Sequence, residues 1–226
     1  MPETIYTIPV NEAFDAACGC PICALHTKLE DNELDLILGA SMMEPDIRQQ
    51  TNRRGFCRRH YDSMLVRKNR LGLALMLESH LDELHDDMQG SALTRLLRRD
   101  VSAKRVNELE GSCYVCTRIN DALGKMMDNA VYLWEIDPDF RAKLKKQPQF
   151  CLPHYAELLE RGKRTLSKQL YPTFAADLRA VVETYFDSLR EDVKHFIRKF
   201  DYRYEGEPWG NARDSVERAV RFLTSD

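Results

Sequence analysis

The chain has 226 residues, 43% of them hydrophobic and 31% charged, with a formal net charge of −3. That is enough apolar material for an ordinary globular core, and it excludes a whole-molecule attraction to nucleic acid or an anionic membrane surface. No run of about 18 apolar residues offers a membrane span, and residues 1–10 lack the basic start and apolar stretch of a signal peptide. The chain is therefore expected to be cytoplasmic, without a membrane partner, in a compartment where thiols stay reduced.

In chain order, residues 1–9 read as an extended lead-in because Ile5, Tyr6, Thr7 and Ile8 favour strand-like geometry. Everything beyond reads helical. After Cys20-Pro21-Ile22-Cys23, the residues Leu25, Leu29, Leu36 and Ile37 mark a helical stripe that should stop near Gly39. Glu44-Pro45-Asp46-Ile47-Arg48 suits a helix start, since proline is tolerated in a first turn and acidic groups favour the positive N-terminus. Cys57-Arg58-Arg59-His60 follows, then a long helix carrying Leu71, Ala74, Leu75, Leu81, Leu84 and Met88, broken at Gly90-Ser91. A bridging helix over residues 93–109 leads to Cys113-Tyr114-Val115-Cys116. The next stripe is clean: Ile119, Ala122, Leu123, Met126, Met127, Ala130, Val131 and Trp134 keep the i, i+3, i+4 spacing and end before Asp137-Pro138. Past Cys151-Leu152-Pro153-His154, a further long helix carries Leu178, Val182, Tyr185, Leu189, Phe196 and Phe200. The breaker cluster at residues 206–210 precedes a last helix bearing Val216, Ala219, Val220 and Leu223, with Asn211 and Asp214 as its capping pair.

These elements repeat. Shifting the chain by 93 residues lays Cys20 and Cys23 on Cys113 and Cys116, and Glu44-Pro45-Asp46-Ile47-Arg48 on Asp137-Pro138-Asp139-Phe140-Arg141. After a one-residue insertion, Phe56-Cys57-Arg58-Arg59-His60-Tyr61 falls on Phe150-Cys151-Leu152-Pro153-His154-Tyr155. The expected architecture is all-α: two tandem pseudo-symmetric helical repeats, each stapled by a Cys3His metal site and packed as one body. Residues 1–100 form the first repeat, 101–205 the second, and 206–226 a C-terminal helix packing on that body.

Six of the seven cysteines fall in this duplicated CxxC…CxxH unit. Three thiols and one imidazole per site make a closed tetrahedral zinc set, so the metal ligands are expected to be Cys20, Cys23, Cys57, His60, Cys113, Cys116, Cys151 and His154, with two zinc ions per chain. An iron–sulfur cluster is the alternative, although most clusters take four cysteines. Ligands paired within one copy, or a CxxC of one copy paired with the CxxH of the other, satisfy the same chemistry. His26, His80, His85 and His195 are read as packed or surface histidines.

Two asymmetries set copy one apart. Cys18 has Gly111 as its counterpart; it reads first as a small buried residue near the first site and second as a candidate redox thiol. Arg53, Arg54, Arg58 and Arg59 surround the first CxxH and are candidate anion-binding residues, whereas the second CxxH contains Leu152 and Pro153.

On Cys20-Pro21-Ile22-Cys23, Glu44-Pro45-Asp46-Ile47-Arg48, Gly55-Phe56-Cys57-Arg58-Arg59-His60, Tyr132-Leu133-Trp134 with Asp137-Pro138-Asp139-Phe140-Arg141, Phe150-Cys151-Leu152-Pro153-His154, and the tail Trp209 with Arg218-Ala219, the chain resembles a family of uncharacterised bacterial proteins with a duplicated CxxC…FCxxH unit. The resemblance spans nearly the whole chain and implies metal sites without implying an activity. Gln149 stands where that pattern has glycine before FCxxH.

The sequence offers no phosphate loop, GxSxG, HExxH or nucleophile with an evident base. The leading functional reading is a zinc-binding adaptor or regulator acting on a protein partner. Behind it come an iron–sulfur or zinc–thiolate redox protein, then nucleic-acid binding through the arginine-rich edge.

Overall fold

The computed structural model describes residues 4–89 and 101–225. Among them are eleven α-helices and no strand: α1 (Thr7–Ala16), α2 (Pro21–Leu38), α3 (Pro45–Arg54), α4 (Arg58–Val66), α5 (Arg70–Gln89), α6 (Val101–Glu110), α7 (Tyr114–Ile136), α8 (Pro138–Lys145), α9 (Leu152–Thr165), α10 (Tyr171–Arg198) and α11 (Ser215–Thr224). The break expected at Gly90-Ser91 and residues 93–100 of the expected bridging helix lie outside the described residues; α6 covers the rest of that expected span.

The lead-in differs from its expected extended form. Thr4–Tyr6 make a 3₁₀ turn and Thr7 already opens α1. Pro9 sits in the first turn, where its missing N–H has no intrahelical acceptor to serve, and Val10 and Phe14, one turn apart, are buried together.

The chain divides into two compact units, residues 1–27 with 123–226, and residues 28–122. The divisions fall inside α2 and α7, so the units and the sequence repeats are different partitions of the chain. Each of these helices begins in one unit and ends in the other.

The unit of residues 1–27 and 123–226 is built on aromatic side chains. Phe14 of α1 packs against Phe140 and Phe150, with ring centroids 4.7 and 6.2 Å apart. Trp134, fully buried, meets Phe174 edge-on at 5.1 Å. Its indole N–H donates to Asp177 at 3.1 Å, and Arg141 lies over its face while bonding the carbonyl of the same residue. α9 and α10 approach closely at Gly162, where an added Cβ would lie 2.5 Å from the Phe174 ring. Phe222 anchors α11 between Tyr185 and Phe186 of α10. The apolar residues expected to bury that last helix do not: Val216, Val220 and Leu223 are exposed, and Ser215 and Phe222 are buried instead.

In residues 28–122 the core comprises Leu34, Ile37, Leu38, Met64, Leu73, Met76, Tyr114, Val115 and Ile119. α5 turns a different face inward from the one its leucines suggest. Gly72, Leu73, Met76 and His80 are buried, whereas Leu71 and Leu81 are 70% and 59% exposed. Residues 71–77 are apolar or small throughout, so periodicity alone does not select a face. Close packing does, because a Cβ at Gly72 would stand 2.8 Å from the Leu38 carbonyl. Asn69 caps the helix, accepting from Gly72 N at 2.9 Å and donating to the same Leu38 carbonyl.

Candidate metal centres

Each ligand pair occupies the same two positions of a helix. Cys20, Cys57, Cys113 and Cys151 immediately precede α2, α4, α7 and α9, and each accepts the first intrahelical bond through its carbonyl, from Ala24, Tyr61, Thr117 and Tyr155 at 2.9–3.1 Å. The partner ligands Cys23, His60, Cys116 and His154 lie three residues on, at the third helical position. Side chains at these two positions point to the same side of a helix start, which is the relation a capping box exploits. Every pair therefore presents two ligands beside the positive end of a helix, where thiolate is favoured. Pro21 in α2 and Pro153 in α9 occupy first-turn positions.

The structure pairs these helix starts across the sequence repeats. Cys20 and Cys23 meet Cys151 and His154, and Cys57 and His60 meet Cys113 and Cys116. Each set lies within one compact unit, and its four ligand atoms are all within 4.8 Å of one another. In the Cys20 set, His154 Nδ1 is 3.7, 3.4 and 3.1 Å from the sulfurs of Cys20, Cys23 and Cys151, and Cys23 Sγ is 3.6 Å from Cys151 Sγ. In the Cys57 set, His60 Nδ1 is 3.1, 3.2 and 3.4 Å from Cys57, Cys113 and Cys116, and Cys57 Sγ is 3.8 Å from Cys116 Sγ.

One tetrahedral ion about 2.3 Å from sulfur and about 2.0–2.1 Å from nitrogen would set sulfurs about 3.8 Å apart and sulfur and nitrogen about 3.5 Å apart. The three sulfur–nitrogen edges of each set and the Cys23–Cys151 and Cys57–Cys116 sulfur edges match these lengths to within a few tenths of an ångström, and the remaining sulfurs lie within 4.8 Å. These are metal-binding Cys3His groups.

The electrostatics point the same way. Cys20 is held far below the usual thiol range, at about 3, by hydrogen bonds from Cys151 and Cys23, while Cys151 is driven upward by the same contacts. Cys116 is pushed up to about 12 by burial, with Cys113 and Cys57 adding to it. In the Cys20 set one negative charge is thus accommodated by neighbouring thiols, whereas gathering further charge on either set needs a cation. Burial lowers the pKa of His60 and so favours the neutral imidazole that a metal requires.

The aromatic residues before each CxxH fix these helix starts. Phe150 is fully buried against Phe14, and Phe56 packs edge-on to Tyr61 and Tyr114. Gly55 holds a positive φ of 59° while its carbonyl accepts from Tyr114 N at 3.0 Å, which ties the end of α3 to the second CxxC.

The comparison that bears on this duplicated motif is with protein families. The model of a family of unknown function (DUF6062) matches residues 1–226. The chain belongs to that family. No curated protein and no solved structure matches it.

The other candidate residues fall outside the two sets. Cys18 is exposed rather than buried as expected, because Ala17 and Gly19 on either side hold positive φ and carry it in a loop between α1 and α2. Arg58 pairs with Asp62 at 2.9 Å and Arg59 with Glu30 at 3.1 Å. Arg53 borders an open cleft of about 330 Å³ whose other lining residues are Glu83, Asp87, Lys104, Arg105 and Glu108, and the carbonyl of half-buried Arg54 accepts from Ser112 at 2.6 Å. His80 and His195 bond the carbonyls of Asn52 and Pro208. Glu30, which sequence reasoning missed, lies 2.9 Å from His60 Nε2. The available signal was a carboxylate in α2 whose counterpart in the other copy is Leu123. Among the described residues, no helix is long and apolar enough to cross a membrane.

Proposed function

We propose that the protein is a zinc-stapled helical adaptor or regulator, holding two structural zinc ions per chain and acting through a protein partner. The observation that carries the zinc reading is the convergence of each Cys3His set within 4.8 Å, with His Nδ1 3.1–3.7 Å from all three sulfurs, as one tetrahedral ion requires. A cluster of several irons distributes its ligands over different metal atoms, farther apart than these. All four corners of each tetrahedron come from the protein, which is the closed form used for structure rather than the open form used in catalysis.

The partner reading is supported by the face of α11 that carries Val216, Val220 and Leu223, spaced at i, i+4 and i+7 and exposed. Apolar residues repeated along one helix face suit a protein surface better than nucleic acid. The acidic partners of Arg58 and Arg59 also weigh against a phosphate-binding edge.

A second reading, a zinc–thiolate redox sensor, is favoured by one observation: Cys57 and Cys116 are half-buried and Cys18 is exposed, whereas Cys20, Cys23 and Cys151 are buried. Peroxide would accept two electrons from two thiolates, forming a disulfide and water and releasing the ion.

Elemental analysis and an ultraviolet–visible spectrum on protein purified without air or added metal test the proposal. Two zinc per chain and no visible band are expected. Iron with sulfide and a broad visible absorption would overturn it, and zinc lost on peroxide treatment with a new disulfide would transfer support to the sensor.

A further inference from the structure

The two ligand sets are identical in composition, yet their surroundings at the aligned positions differ. His60 is almost fully buried and its Nδ1 faces three sulfurs, so the proton of the neutral ring resides on Nε2. That N–H points at Glu30 Oε1, 2.9 Å away, and the other oxygen of the same carboxylate takes a bond from Arg59 at 3.1 Å. Glu30 is itself largely buried, with its side chain 15% exposed. At the aligned positions of the second copy stand Leu123 and Pro153, whose side chains can neither accept a bond from an imidazole nor donate one to a carboxylate.

We propose that Glu30 is a positioning residue for the ion of the Cys57 set. It fixes the tautomer and orientation of His60 and increases the basicity of its ligating nitrogen, with Arg59 anchoring the carboxylate in turn. A carboxylate–histidine pair of this kind accounts for about 10–100-fold in metal affinity where it is present. The pair also offsets a weakness of this set, because Cys57 and Cys116 are half-buried and water reaches its edge. This inference rests on the reading of both sets as zinc sites.

The test is equilibrium competition between the zinc-loaded protein and a chromophoric chelator, for wild type, Glu30→Leu, Glu30→Gln and Arg59→Ala. Leucine is the residue of the second copy, and glutamine retains an acceptor without the charge. Cobalt(II) substitution supplies a sulfur-to-metal charge-transfer band and ligand-field spectrum as a second readout, and a Cys57→Ser variant identifies which of the two ions is affected.

The expected result is a loss of about 10–100-fold in affinity for one ion in Glu30→Leu, with the other unchanged. Smaller losses are expected in Glu30→Gln and Arg59→Ala, with an altered ligand-field spectrum for the same ion. Two ions retained at wild-type affinity in Glu30→Leu would overturn the inference while leaving the zinc reading intact. Wild-type protein that takes up no zinc overturns both. Should Glu30→Leu fail to fold, Glu30→Gln decides: a several-fold loss confined to one ion supports the inference, and wild-type affinity at both overturns it.

Discussion

The Cys20 set and the Cys57 set are the same ligands on the same helical positions, placed in different surroundings. The first is buried at all four residues, beside an aromatic cluster of Phe14, Phe140 and Phe150. The second leaves two thiols half-buried, and its histidine leans on a carboxylate and an arginine. Ligand identity determines what a site can hold, whereas surroundings determine how readily the ion can be reached. On the zinc reading, the first set would be the permanent staple and the second the accessible one.

The largest effect should come from removing the buried staple. A structural zinc contributes about 10 kcal/mol or more of folding free energy, comparable with the whole stability of a domain. Cys151→Ser or Cys23→Ser should therefore lower zinc from two ions to one and abolish the cooperative melting of residues 1–27 and 123–226, read by calorimetry and by hydrogen exchange. Full melting enthalpy with one ion lost would show that this ion is not structural.

A kinetic difference comes next. Under dilute peroxide or excess chelator, Cys57, Cys113 and Cys116 should become available to alkylation before Cys20, Cys23 and Cys151, because oxidant and chelator act through exposed sulfur. Time-resolved alkylation with peptide mass spectrometry follows each cysteine separately. Simultaneous exposure of all six would remove the distinction between the sites.

Smaller effects test the cores around them. Trp134→Ala should cost about 3–5 kcal/mol. Gly162→Ala should cost about 1–3 kcal/mol, since its new methyl meets the Phe174 ring. Both are measured by denaturant unfolding and neither should change zinc content. The smallest effect is expected of Arg58→Ala. Its side chain is 87% exposed and pairs with Asp62 four residues on, so melting temperature and metal content should both stay at wild-type values.

Much of this was legible in the sequence, for identifiable reasons. The α7 stripe from Ile119 to Trp134 alternates with clearly polar residues, and its limit at Asp137-Pro138 is a strong stop signal. The helix starts at Pro45, Pro138 and Leu152 carry a first-turn proline, and Asp137 adds a side-chain cap to the second of them. The buried faces of α5 and α11 were not legible: their inward residues include Gly72, His80 and Ser215, chosen by close approach and hydrogen bonding rather than by apolar character. The eight ligands stand out by type and spacing, but spacing is indifferent to which CxxC meets which CxxH. That choice depends on where α2 and α7 leave one unit for the other, a long-range property of the fold. Glu30 escaped for a related reason, since its role exists only once His60 is brought beside it.

The pairing across repeats is the central claim, and zinc stoichiometry in two double variants tests it most directly. If Cys20 and Cys151 share one ion, Cys20→Ser with Cys151→Ser should retain one zinc per chain, whereas Cys20→Ser with Cys57→Ser should retain none. One zinc in the Cys20/Cys57 variant and none in the Cys20/Cys151 variant would mean that each repeat holds its own ion, and would contradict the account.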